Sequence, residues 1–146
     1  MARHSVAGRA SAAATATLPA VSLFAGAAGA GKIREIGIFN TTTTAFAVSL
    51  RRFTATGTQG AALTEISYES DTGVSLCQGF DAHSVTPTIT AGVFRQATIG
   101  AAAGSGVIWT FGDTGLILKV GTANGYGILC PTGTGQVFDY YIDWDE

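Results

Sequence analysis

Residues 136–146 read QVFDYYIDWDE. Phe138, Tyr140, Ile142 and Trp144 fall on one side of an extended chain, and Asp139, Tyr141, Asp143 and Asp145 on the other. A strict period of two, with the bulky side chains together, marks a strand with one buried and one wet face. A helix would spread the same residues around its axis. The chain therefore closes on a β-strand that needs a core to lie on.

Working outward, the same alternation returns. In residues 44–53 (TAFAVSLRRF), Phe46, Val48 and Leu50 share one face, and Ala45, Ala47, Ser49 and Arg51 the other. Residues 32–40 (KIREIGIFN) alternate Arg34, Ile36 and Ile38 with Ile33, Glu35 and Phe39. Asn40 and four threonines between these two runs predict a hairpin. Further strands are expected over residues 20–25, 61–68, 74–80, 92–99, 107–111, 116–120 and 126–130. Residues 126–130 and 136–144 read as a closing pair. Residues 56–59, 112–115 and 121–125 read as turns, and 69–73 as a polar loop. Scattered glycine with frequent threonine and valine disfavours helices and suits pleated strands. Eight to ten short strands separated by Gly/Thr turns point to an all-β, antiparallel β-sandwich of jelly-roll type. No internal repeat indicates a solenoid or propeller.

The start of the chain reads differently. Residues 1–19 hold no large apolar residue before Leu18 except Val6. They are expected to form an extended N-terminal arm with room for one short strand, ordered by a partner surface, ahead of a sandwich domain over residues 20–146. Arg3, Arg9 and the Ala-rich run that follows imitate a secretory leader, but Thr15, Thr17, Pro19 and Ser22 interrupt it. No stretch reaches the ~18 strongly apolar residues of a membrane span.

Charged residues make up only 12% of the 146, and hydrophobic ones 47%. About a quarter charged is usual for a soluble domain. A surface this poor in charge is expected to be covered by other protein. The charge is also divided. Through Arg52 there are six bases (Arg3, Arg9, Lys32, Arg34, Arg51, Arg52) and one acid, Glu35. From Phe53 onward there are nine acids and two bases, Arg95 and Lys119. Opposite signs in the two halves suit contacts between copies or with a partner. Folding could equally bring the halves together and cancel them. The basic residues are too sparse for a nucleic-acid binder.

The signals for chemistry are weak. Residues 26–32 (GAAGAGK) match seven positions of a phosphate-binding loop, but Ile33 stands where Ser or Thr would hold magnesium, and a strand pattern follows. Cys77 and Cys130 read as buried free thiols, with no zinc-type spacing. His4 and His83 read as surface or interface residues, and no serine-hydrolase elbow occurs. The acids at the end alternate along one strand face and are expected to splay into solvent or onto arginines. Arg51 and Arg52, or Arg3 and Arg9, of a neighbouring copy would meet them. No catalytic residue, cofactor or metal is expected. Candidate interface residues are Arg3, His4, Arg9, Arg51, Arg52, Tyr141, Asp143 and Asp145.

Three stretches, KIREIGIFNTTTTAFAVSLRRFT, VIWTFGDTGLILKVGTANGYGIL and QVFDYYIDWDE, resemble small structural proteins of tailed bacteriophages, the capsid decoration (cement) proteins and related jelly-roll virion proteins. The resemblance spans roughly residues 20–146. It implies a sandwich that oligomerises, often as a trimer, on the outer capsid surface. The major capsid protein and further copies of the chain would be its partners, without nucleic acid or membrane. A tail or head-fibre module that contacts host glycan or receptor, using Tyr68, Tyr126 and Tyr141, is the alternative.

Overall fold

The structure, a computed structural model, describes residues 1–70 and 73–146. Residues 71–72 of the expected polar loop lie outside the described residues. Among the described residues there are eleven strands and no helix. They are β1 (Arg3–Arg9), β2 (Val21–Phe24), β3 (Gly31–Asn40), β4 (Phe46–Ala55), β5 (Ile66–Ser67), β6 (Gln78–Asp81), β7 (Thr88–Ile99), β8 (Gly106–Thr110), β9 (Leu116–Leu118), β10 (Gly125–Leu129) and β11 (Phe138–Asp145).

Two antiparallel sheets form. One has the order β5-β1-β11-β3-β8, with β9 also on β3, and the other β6-β2-β10-β4-β7. The pairing rule behind both is simple. Arg3 lies opposite Asp145, Val21 opposite Ile128, Glu35 opposite Thr110, and Phe46 opposite Ile99. The first half of the chain is thus laid antiparallel on the second, like one long hairpin, and the ribbon is rolled so that successive strand pairs fall in alternate sheets. That is the jelly-roll arrangement expected for the sandwich.

The rolled ribbon corrects two local expectations. β3 and β4 are not a hairpin, because β3 pairs with β11, β8 and β9, and β4 with β10 and β7. β10 and β11 are likewise no closing pair, since they lie in different sheets. Asn40 still organises the first bend. Its Nδ2 donates to the carbonyls of Thr44 and Gly100 at 2.9 and 2.8 Å, and its Oδ1 accepts from the Thr42 amide at 2.8 Å. The bend carries the chain from one sheet to the other.

The arm is a further correction. β1 sits inside its sheet, between β11 and β5 of the same chain. His4 and Val6 point inward at period two and are buried. Ala10 and Ala14 are buried as well, where the backbone passes close to β11 and to the turn after β10. The small residues are there for close packing, not for an unpaired ribbon.

Phe138, Tyr140, Ile142 and Trp144 of β11 all enter the main core, as their alternation predicts. Phe46 of the opposite sheet stacks on Phe138, with centroids 6.0 Å apart and planes 9° apart. In β3, Ile33, Ile36 and Ile38 all face inward because the register with β11 slips between Asp143 and Trp144. That bulge turns Arg34 and Glu35 both outward. A second, smaller core of Phe24, Phe53 and Leu129 lies apart from the main cluster, with Phe80 and Ile89 packed on it. Gly125 and Gly127 make room for it. A Cβ on Gly127 would stand 2.6 Å from the Phe53 ring, and one on Gly125 2.5 Å from the Phe24 ring.

Candidate functional site

Outward-facing residues of β1, β11 and β3 build a polar face from the pieces the sequence singled out. Arg9 Nε donates to Asp139 Oδ1 at 2.7 Å. Arg3 Nε donates to Asp145 Oδ1 at 2.9 Å, and Arg34 Nε lies 3.3 Å from Asp145 Oδ2. Tyr141 Oη donates to Glu35 Oε1 at 2.5 Å. Tyr68, after β5, donates to Asp143 Oδ2 at 2.9 Å. The terminal acids do splay, each to its own partner, because adjacent outward positions on one strand are about 7 Å apart. Arg3 and Arg9 thus meet Asp145 and Asp139 within one chain, so the contact expected between neighbours is internal. Arg51 bonds to the carbonyls of Thr90 and Ala91, and Arg52 lies elsewhere, on the second sheet.

Tyr141 is half-buried rather than presented. Its ring lies over Gly37, where a Cβ would collide with it, and stacks on Phe39 at 6.3 Å. Burial and the Glu35 carboxylate raise its phenol well above the ordinary range, so it stays protonated. Hydrogen bonding to Arg9 holds the Asp139 carboxyl below its usual range. Between these rows lies an open pocket of about 330 Å³ lined by Arg3, Arg34, Glu35, Thr110, Asp113 and Asp143. Asp143 Oδ1 is buried there without a protein hydrogen-bond partner. Tyr68, 60% exposed, stands beside it with Arg3 over its ring.

Both histidines were expected at the surface or an interface, and both are buried. His4 stacks on Trp144 at 5.8 Å, with its Nε2 3.8 Å from Glu146. Its place opposite Trp144 in the β1–β11 register puts it on the inner face. His83 shares a 2.8 Å hydrogen bond with Ser22 Oγ and stacks on Phe24 in the second core. Cys77 and Cys130 are buried and free, as read from the sequence. Burial, then the nearby Glu146 carboxylate, pushes the Cys77 thiol up to about 12. The glycine run 26–31 packs against Leu76 and Cys77 and opens into β3, a strand where a phosphate loop would need a helix. Among the described residues no cluster of His, Cys, Asp and Glu is arranged to hold a metal ion.

Two features escaped sequence reasoning. Glu146 accepts four hydrogen bonds, from Leu76 N, Cys77 N, Ser75 Oγ and Trp144 Nε1, and so pins residues 75–77. Burial alone would raise its pKa, but the four donors outweigh it and the carboxyl ends below its usual range. The other is a largely apolar cleft of about 340 Å³ that meets solvent between β7, β9 and β10. Phe94, Ile117, Leu118 and Tyr126 form its floor, and Arg52 and Lys119 its charged rim. Phe94 packs edge-on to Tyr126 at 5.2 Å. Tyr126 is buried, which removes it as an exposed sugar contact. No sequence period marks this cleft, because its walls come from strands far apart in the chain.

A scan against family models finds no match, and searches of curated proteins and of solved structures find no significant relative.

Proposed function

We propose that this chain is a virion structural protein, a capsid decoration (cement) protein. It binds the outer capsid surface, has the major capsid protein and further copies of itself as partners, and stabilises the junctions between capsomers. One observation carries the reading. The jelly roll pairs much of its charge internally, Arg3 with Asp145, Arg9 with Asp139 and Arg34 with Asp145, yet leaves large apolar side chains bare at its edges. Surface of that kind is stable in water when a neighbour covers it. Jelly rolls are a recurrent architecture of viral shells, and also of lectins and cupins. The mechanism is mass action: a protein that binds only the assembled shell lowers the free energy of that shell. It needs neither catalysis nor a cofactor.

The test is co-sedimentation of the purified chain with empty capsid shells, followed by heating. The chain is expected to pellet with the shells and to raise their disruption temperature. A chain that stays in the supernatant at ~10 µM with every shell tried overturns the reading.

A tail or head-fibre module that contacts host glycan is the second reading, and the outer-face pocket favours it. Tyr68 offers an exposed ring, and Asp143 Oδ1 an acceptor without a protein partner, as a sugar ring and hydroxyl would use. Glycan-array binding that disappears in Tyr68→Ala would move the assignment to this reading.

A further inference from the structure

The bare apolar residues are not spread evenly. Ile66 and Tyr68 lie on or just after β5, at one edge of the sandwich, whereas Val74 and Leu76 lie beyond it, with Leu76 packed on the 26–29 loop. Val93, Phe94, Ile108, Ile117 and Val120 lie on or beside β7, β8 and β9, at the other. Among the described residues, Met1 and Val85 are the other large apolar side chains left exposed. Ile66 is 69% exposed and Ile117 49%, large apolar side chains left bare on strands at opposite edges.

The charges divide in the same way. Residues 53–94 contain four acids (Glu65, Glu69, Asp71, Asp81) and no lysine or arginine. Glu65 and Glu69 flank β5 and Asp81 ends β6, so these acids lie by that edge. The opposite edge carries Arg52 and Lys119 on the cleft rim, and Arg95 against the Phe111 ring. Among the described residues none of these three cations is in an ion pair. Asp113, the acid at that edge, is within 3.6 Å of Arg34. Arg3, the cation nearest β5, is engaged by Asp145. One edge is therefore apolar and acidic, the other apolar and basic with a cleft.

We infer that copies of this chain associate head to tail, the β5 edge of one copy seating against the cleft between β7, β9 and β10 of the next. Ile66 and Tyr68 cover the floor of Phe94 and Ile117, and the acids beside β5 and on β6 face Arg52 and Lys119. The two surfaces differ, so the contact is heterologous, and it closes into a ring when the rotation between copies permits. β7 supports the assignment. It is a twelve-residue edge strand with one charged residue, Arg95, and its register slips against β4 bend rather than cover it. The inference deepens the assembly reading and rests on it for its purpose, but it is tested without capsids, so either can fail alone.

The experiment is sedimentation equilibrium on the purified full chain and two variants, Ile66→Asp at the edge and Ile117→Asp at the cleft. Wild type is expected to be oligomeric at ~50 µM, and each variant monomeric. An equimolar mixture of the two variants is expected to form dimers and stop there, because only one intact edge and one intact cleft remain between them. Unchanged circular dichroism and melting temperature establish that the variants fold. Lys119→Glu serves as the cleft variant should Ile117→Asp unfold. A monomeric wild type, variants that still oligomerise, or a mixture that stays monomeric each overturns the inference.

Discussion

His83 sits between Ser22 and the Phe24 ring, and burial lowers its pKa below the ordinary value against a raising contribution from the Thr56 backbone. The unfolded chain therefore binds a proton more readily than the folded one between the depressed value and about 6.5. Stability is fully present above that window and is lost as pH falls through it. In His83→Gln, which keeps a hydrogen-bonding group near Ser22, the drop in melting temperature between pH 7 and pH 5 is expected to be smaller than in wild type. An identical pH profile in the two proteins would contradict this. Glu146 acts on a different segment. Replacing it with alanine leaves the Leu76 amide without its acceptor and the Cys77 amide with only Ser75 Oγ at 3.1 Å. A hydrogen bond to a charged group is worth about 2 kcal/mol. Glu146→Ala is expected to unfold at lower denaturant and to exchange the Leu76 and Cys77 amides faster.

At the scale of elements, the clearest consequence concerns β1. Each of its seven residues pairs with β11, and His4 and Val6 fill the core beneath. Removing residues 1–9 would expose the edge of β11 and uncover Trp144 and Ile142. The truncated chain is expected to lose its cooperative thermal transition, whereas a true arm could be cut without effect on melting. Much of this was legible in the residues. β11 and β4 were read in phase, since an unbroken period of two survives any packing partner. β3 was read in part: its isoleucines were identified, but the bulge at Arg34 and Glu35 that brings Ile33 inward depends on β11 and has no local signature. The place of β1 inside the sheet was missed because its only inward residues are His4 and Val6, with Ser5 between them and Ala7 and Gly8 after, so the alternation is too faint to separate from a flexible tail.

For the molecule as a whole, the charge split seen in the sequence has two outcomes at once. Folding the chain back on itself cancels Arg3 and Arg9 against Asp145 and Asp139. It leaves Glu65 and Asp81 by the β5 and β6 edge and Arg52, Arg95 and Lys119 at the other, which is the asymmetry the mixing experiment reads. Composition and alternation by themselves determined the class of the fold, the buried face of the last strand, the two free thiols and the poverty of surface charge. Each depends on residue type and on neighbours two positions away. Which strands pair, that adjoining strands lie in opposite sheets, that both histidines are buried and that a basic cleft faces away from an acidic edge were decided by tertiary structure. Those features join residues as distant as Arg3 and Asp145, and a sequence pattern carries no term for a contact between segments so far apart.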